Sequence, residues 1–324
     1  MPREYLRLTR AHTVPLEAVP AVIGAGLAHG TVWSTEVALW GVFGVLYHLA
    51  GYGMNSYTDW KNGYDKEDKW KQHHPLNSGG LSPQMAKSVV YSLLGLTVAY
   101  GLFLVYPSLA GMFALGTAVV AGVAYNELGK ETRWKFLLIS YAHTSVFVVP
   151  YLSISQRLTP AFLLGSLYVF VWVAYQISVS GEVKDMTSDE ANFLKEMGAK
   201  MIDVVAYFPA RCVIYGYALK TFNILVAIVI VLYLGADTLS LFVISIIGVL
   251  TLWLNTELLR SDIYDRHARI ENMSMIEMFT LVIFCLSYVN VLGKVAVWSV
   301  IGAACIWVLA GNRVVWGTWV APKV

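Results

Sequence analysis

The chain has 324 residues, of which 57% are hydrophobic and only 14% charged, and its formal charge is +2. Soluble globular domains keep charge near a quarter of their residues, so this composition excludes a single water-soluble core and places the chain in a bilayer. So small a net charge says nothing about partners, and its distribution along the chain says more; no nucleic-acid partner is expected.

Arg3, Arg7 and Arg10 precede the first apolar run, which has no small-residue cleavage site and reads as a retained membrane helix. Runs long enough to cross the hydrocarbon follow at 14–36, 37–56, 87–106, 108–126, 136–154, 160–180, 213–235, 238–259, 274–293 and 294–312, ten expected spans. The expected fold is all-α, a polytopic membrane bundle of nine or ten helices around a central cavity with a cytoplasmic cap. It reads as one domain over 1–324, with two loose repeats near 1–130 and 131–260 and extra C-terminal helices over 270–324.

With the N-terminus in the cytoplasm, the inner side collects nearly all the lysines and arginines, from Lys61 and Lys71 through Arg133 and Lys184 to Arg266 and Arg313. The outer side keeps only Arg157 and Lys294, so the positive-inside rule fixes the orientation. Outer connections such as 106–108 and 235–237 are short; the inner loops at 57–86 and 181–212 are long and rich in carboxylates. Cys212, Cys285 and Cys305 are far apart in or beside apolar segments and read as packing residues.

The first inner loop opens with Asn55, Ser56, Tyr57, Thr58 and Asp59 and runs through Gly63 and Asp65 to His74-Pro75-Leu76-Asn77-Ser78-Gly79. If the preceding helix continues, Asn55 and Asp59 share one face, Gly63 falls a turn further on and leaves room, and Asp65 brings a second carboxylate. After the sixth span, Glu182, Asp185 and Asp189 stand at i, i+3 and i+7, which on a helix makes one acidic stripe. Like charges this close to a low-dielectric boundary need a cation or several basic partners. A hard divalent ion suits oxygen ligands, and Mg²⁺ in particular is held by one or two carboxylates together with substrate phosphates. Taken singly, each motif also reads as a solvated loop beside lysines. Both, however, begin at the end of an even-numbered span on one side of the membrane, and a loose internal repeat would set them face to face across a cavity.

Three other groups carry weaker signals. His73-His74 reads as a solvated loop pair, and the run from Arg260 to Arg269, with Asp262 and Asp265, as a self-paired surface loop or part of a cap. His143, inside an apolar span, reads most simply as hydrogen-bonded to a neighbouring helix.

These motifs resemble those of the UbiA superfamily of intramembrane prenyltransferases. Asn55 and Asp59 match the first family motif, Asn-Asp-x-x-Asp-x-x-x-Asp; Ser56 and Gly63 depart from it, with Asp65 as an offset substitute. Asp185 and Asp189 keep the Asp-x-x-x-Asp spacing of the second, and Glu182 stands where many members carry another acid. Arg7 and Arg10 answer the basic start of the family's first helix, and Tyr125 and Lys130 its Tyr-x-x-x-x-Lys feature. His74 replaces the arginine of Arg-Pro-x-x-Ser-Gly, which leaves His74 or Lys71 to supply that contact. Members usually have nine spans, so a tenth is a departure.

The resemblance implies Mg²⁺-dependent transfer of a polyprenyl group from a prenyl diphosphate to a lipophilic acceptor, through an allylic cation. It implies Asn55, Asp59, Asp65, Asp185 and Asp189 as metal ligands, and Asp59, Asp185 and Lys130 as catalytic residues. Arg10, Asn55, Lys130, Lys184, Tyr125, Glu182 and His74 would contact substrate. The stretch from Arg10 to Pro15 is similar to members that prenylate dihydroxynaphthoate, which implies an aromatic quinone precursor as acceptor. The alternatives are the same chemistry on a glycerol-phosphate lipid or another acceptor, and a membrane transporter, although a transporter would place its ionisable groups nearer the bilayer midplane.

Overall fold

The computed structural model describes residues 2–65, 71–128, 132, 134–187 and 192–321. A short amphipathic helix α1 (Pro2–Leu8) and a 3-10 turn (Ala11–Thr13) lead into α2 (Pro15–His29). There follow α3 (Thr35–Lys61), α4 (Pro83–Val105), α5 (Leu109–Leu128), α6 (Lys135–Ile154) and α7 (Pro160–Tyr175). A wide π turn (Gln176–Gly181) extends α7 into the single turn α8 (Glu182–Lys184). After α9 (Phe193–Glu196) and strands β1 (Lys200–Ile202) and β2 (Val205–Tyr207) come α10 (Ala210–Tyr233) and α11 (Thr238–Leu258). Strand β3 (Asp262–Ile263), α12 (Arg266–Leu286), α13 (Val289–Leu292) and α14 (Lys294–Trp316) complete the described chain.

Local chemistry sets the helix ends. Ser34, Ser82, Thr159 and Asp237 each accept a backbone N–H three residues on, the last of them from Ser240 at 2.8 Å, and Pro83 and Pro160 occupy first-turn positions where no N–H is missed. The first span was expected to run to residue 36, but Gly30 adopts φ 81° and ends α2 at His29, since the left-handed conformation suits glycine and closes the last turn.

Among the described residues nine helices are long and apolar enough to cross a membrane; α12 is excluded because it carries Arg266, Arg269, Glu271 and Glu277. The ends of the chain nevertheless meet. The carbonyl of Val315, at the end of α14, accepts Arg3 Nε at 2.8 Å and Arg7 Nε at 3.3 Å, while Trp307 Nε1 donates to the Ala11 carbonyl. An odd number of crossings would separate the two ends by the thickness of the bilayer, so α12 serves as a tenth crossing. Three of its four charges, Arg266, Arg269 and Glu277, face inward and are no more than 5% exposed, and the fourth, the half-buried Glu271 near the start of the helix, pairs with His267 at 3.3 Å. The expected span at 274–293 is thereby shifted to α12 and α13. Outside, Phe103, Leu109, Phe113, Ile214, Phe242, Val249 and Ile306 stand exposed, an apolar surface suited to lipid.

α2 packs on α3 and α6, α7 on α6 and α10, and α11 on α12. An aromatic core joins them: Tyr151 stacks on Phe162 with centroids 4.1 Å apart, and Phe284 lies against Phe147, Tyr168 and Tyr288. At the motif-bearing end a small antiparallel sheet in the order β1-β2-β3, with Lys200 opposite Tyr207 and Ala206 opposite Asp262, ties the 181–212 loop to the α11–α12 connection.

Candidate active site

The first motif is built on a helix that continues past the expected boundary. α3 runs to Lys61, so Asn55 and Asp59 lie four residues apart on one face and both line a cavity among α3, α5, α6 and the end of α7. Asp59 is 4% exposed. Gly63 does not extend that face: it sits at φ 92° beyond the helix end and turns the chain. Asp65 is carried away with the turn; its carboxylate pairs with Lys71 Nζ at 2.6 Å and its carbonyl accepts Asn77 Nδ2 at 2.8 Å.

The second motif is not a single helical stripe. The π turn and the one-turn α8 end at Lys184, so Glu182 and Asp185 leave the backbone in different environments. Glu182 is buried and committed to structure: Oε1 pairs with Lys135 Nζ at 3.2 Å and Oε2 accepts the Phe193 N–H at 2.9 Å. Asp185 borders the cavity, with Lys184 Nζ 3.4 Å from one oxygen and Arg266 Nη2 3.4 Å from the other. Tyr264, from the cap, donates to the Lys184 carbonyl at 2.7 Å. Lys130 and Asp189 lie outside the described residues.

The cavity has two lobes beneath one mouth. Asn55, Asp59, Glu182 and Asp185 border the first, which deepens between Leu94, Val98, Leu115 and Val119, with Tyr125 also on its wall. Asp65, His74, Arg266, Glu277 and Asn312 border the second, between α2, α12 and α14. Arg10, Tyr52, Lys71, Gln176 and Lys184 border both. Of the expected site residues within the described chain, Arg10, Asn55, Asp59, Tyr125, Glu182, Lys184 and Asp185 therefore share the first lobe, while Asp65 and His74 face the second.

Arg10 holds a left-handed backbone at φ 47°, a conformation that costs a non-glycine residue about 1 kcal/mol or more. His48 Nε2 fixes it by donating to the Arg10 carbonyl at 3.0 Å, and the guanidinium lies over the Tyr52 ring at 5.3 Å. His48 in turn contacts the buried Glu17, whose other oxygen is 2.6 Å from His143 Nδ1. The single helix-to-helix contact expected of His143 is thus a three-residue junction of α2, α3 and α6. His74 Nδ1 accepts the Leu76 N–H at 3.4 Å, and burial, opposed in part by Asp65, lowers its pKa to about 4. At neutral pH His74 is an uncharged donor, so the positive charge beside Asp65 comes from Lys71.

Arg266, Lys135 and Glu17 were missed by sequence reasoning. Arg266 lay inside a charge run read as self-paired, which holds for Arg260 and Arg269 with Asp262 but not for Arg266. Lys135 looked like one more inner-side base. Glu17 is a lone acid in an apolar run, a signal in its own right that intramembrane ionisable groups deserve a partner search.

Two carboxylates and a carboxamide from distant segments thus face a basic mouth above an apolar chamber. Among the described residues no group of three or more His, Cys, Asp or Glu side chains is gathered closely enough to cage a metal ion. An all-oxygen donor set of this size suits a hard cation that completes its shell with substrate phosphates. No curated protein matches the chain. Solved membrane structures share the fold: a UbiA homolog from Archaeoglobus fulgidus bound to GPP and Mg²⁺ has a TM-score of 0.58 and 15% identity, over 89% of this chain and 99% of its own. An apo UbiA homolog from Aeropyrum pernix K1 gives 0.61 and 14% identity over 86% and 96%. A structure concerned with digeranylgeranylglyceryl phosphate synthase in membranes gives 0.58 and 16% over 93% and 100%. Identities so low carry the fold alone, but the sequence profile of one family matches residues 18–280, from α2 into α12 and through both acidic motifs, and on that match the chain belongs to the UbiA prenyltransferase family.

Proposed function

We propose that the protein transfers a polyprenyl group from a prenyl diphosphate, with Mg²⁺, to a lipophilic acceptor that is an aromatic quinone precursor. One observation carries this reading: Asp59 and Asp185, from separate motifs, line one cavity whose mouth is basic and whose depth is apolar. The Archaeoglobus fulgidus homolog bound to GPP and Mg²⁺ supports the donor and metal classes. The digeranylgeranylglyceryl phosphate synthase structure leaves the glycerol-phosphate alternative as the comparison acceptor in any assay.

Asp59 and Asp185, with Asn55, would hold Mg²⁺, whose chemistry when bound is to neutralise charge gathering on the departing diphosphate. Asp189 is assigned to the same ligand set and Lys130 to diphosphate contact; Asp65, in the adjoining lobe, would join that set only on release from Lys71. Arg10, Lys71 and Lys184 supply fixed positive charge on the mouth where the C–O bond breaks. The apolar wall of the first lobe takes the prenyl tail and excludes water that would quench the allylic cation, with Tyr52 and Tyr125 offering aromatic faces. Glu182 acts at one remove: it orders the loop bearing Asp185 through Lys135 and Phe193.

The test is diphosphate release from geranylgeranyl diphosphate by purified protein in lipid, with and without Mg²⁺, against a panel of acceptors read by mass spectrometry. Mg²⁺-dependent release is expected, lowered on the order of 100-fold or more by Asp59→Ala or Asp185→Ala. A folded protein that consumes no donor with any acceptor overturns the reading and returns transport to consideration.

A further inference from the structure

Metal and diphosphate binding leave one ionisable cluster without a role in the reaction. Glu17 on α2, His48 on α3 and His143 on α6 meet inside the bundle, where Glu17 is 2% and His48 1% exposed. Ionisable groups at such depth are expensive to bury and mark function. Hydrogen-bond geometry assigns their protons. Both ring nitrogens of His48 face acceptors, Nδ1 toward Glu17 Oε2 and Nε2 toward the Arg10 carbonyl at 3.0 Å, so one proton is shared between Oε2 and Nδ1 while another sits on Nε2. Glu17 Oε1 then has no proton to give, and it accepts the Nδ1–H of His143 at 2.6 Å. That bond sets the tautomer of His143 and leaves a lone pair on Nε2. The His143 side chain is 14% exposed on the wall of the first lobe; among the described residues no group bonds its Nε2, and that atom is not sealed inside the protein.

Tyr52 relates this lone pair to the mouth. Its ring lies 5.3 Å from the Arg10 guanidinium on one side and 6.1 Å from the His143 ring, edge to face, on the other. A single aromatic ring therefore separates an oriented base from the positive charge that meets the departing diphosphate. We infer that His143 is the general base of the transfer, with Glu17 and His48 as the residues that position it. The inference rests on the transferase reading above for its substrates. As the C–O bond of the donor breaks, the acceptor's nucleophilic atom shares an electron pair with the allylic carbon, and the proton which that atom carried passes to His143 Nε2. The electrons of the broken bond to hydrogen stay with the product. The positive charge thus moves from carbon to an imidazolium held against Glu17, the arrangement by which a carboxylate supports a histidine base elsewhere. When product and diphosphate leave, the proton goes to water entering the lobe.

The experiment separates bond breaking from proton removal. Full-length protein in lipid is given Mg²⁺ and geranylgeranyl diphosphate labelled with heavy oxygen at the bridge to carbon, together with dihydroxynaphthoate or the glycerol-phosphate lipid, whichever the acceptor panel shows is consumed. Mass spectrometry measures the prenyl adduct, and phosphorus NMR of recovered donor measures how far the label has scrambled into the other diphosphate oxygens, which records C–O bonds that broke and re-formed. His143→Gln is expected to lower adduct formation about 100-fold or more, while scrambling persists or rises. Glu17→Gln keeps every hydrogen bond of the cluster, because its amide oxygen accepts from His143 and its NH₂ donates to His48 Nδ1, but it removes the charge. It should lower the adduct about tenfold, again with scrambling retained. Affinity for geranylgeranyl diphosphate in Mg²⁺ checks that each variant is folded; if His143→Gln is not, Glu17→Gln carries the test. Adduct formation unchanged by the variants overturns the inference, and so does an adduct lost without scrambling in a variant that still binds donor, which would give the cluster a part in ionisation or packing. Either result leaves the transferase reading in place. Wild-type protein that forms no adduct and releases no diphosphate with any acceptor removes that reading, and this inference with it.

Discussion

Asp59, on the last turns of α3, and Asp185, just past α8, reach one cavity from two separate motifs, and the acids beside them have different surroundings. Glu182 is held at both oxygens, by Lys135 and by the Phe193 N–H; Asp65 pairs with Lys71 while its carbonyl accepts Asn77 Nδ2; Asp185 is set between Lys184 and Arg266 at the cavity wall. Spacing alone could place Asn55 and Asp59 together, because i and i+4 meet on any helix. It could not separate Glu182 from Asp185, because the lysine that engages Glu182 comes from α6 and no local pattern announces it. His74 was equally opaque: its position in the motif suggested a stand-in for arginine, while its burial makes it neutral. That gives a testable sign. A histidine whose folded pKa lies near 4 is protonated more readily in the unfolded chain, so stability is complete above the ordinary histidine range and declines as pH falls from about 6.5 toward 4. The loss reaches up to about 2 kcal/mol at pH 5. Thermal unfolding in detergent between pH 5 and pH 7.5 should show this slope, and His74→Asn should flatten it; an unchanged slope would place the titration elsewhere.

At the scale of elements, most of the bundle was legible because apolar runs of bilayer length leave little choice of structure. The errors fall where backbone conformation overrides hydropathy: Gly30 ends α2 within an otherwise continuous run, and the π turn at Gln176–Gly181 breaks the face on which the second motif was expected. The helix pair carrying Glu17 and His48 also depends on a contact that sequence cannot show. A Cβ at Gly44 would come within 2.6 Å of the Ala18 backbone and 2.9 Å of the Glu17 carbonyl, so α2 and α3 touch through a missing side chain. Gly44→Ala should therefore cost about 1–3 kcal/mol through forced separation of the two helices. Because Glu17 and His48 sit at that contact and His48 holds Arg10, donor affinity should fall with stability. Thermal unfolding and diphosphate binding measured on the same preparation check both, and loss of one without the other would uncouple the helix contact from the mouth.

For the whole molecule, the meeting of α1 with the end of α14 fixes an even number of crossings, and α12 supplies the one that composition alone discounts. Single cysteines placed at residue 2 and residue 318, in a background where Cys212, Cys285 and Cys305 are replaced by serine or alanine, should react with an impermeant thiol reagent from the same side of sealed vesicles. A cysteine at residue 236 should react only from the other side. Labelling of the two ends from opposite faces would reduce the crossings to nine and return α12 to the surface. The sequence could suggest ten spans but not the reason, since the arginines that test the parity, Arg3 and Arg7, bond to a carbonyl more than three hundred residues away. The shared rim has a further consequence. Arg10, Lys71 and Lys184 border both lobes, so their positive charge is a common resource, and a ligand that neutralises it in one lobe weakens the pull on an anion in the other. Two anionic ligands are then antagonistic without overlapping, and thermodynamic reciprocity requires each to loosen the other by the same factor. Inorganic diphosphate left behind by one turnover would, by this linkage, hold off a charged ligand of either lobe while leaving a neutral one indifferent.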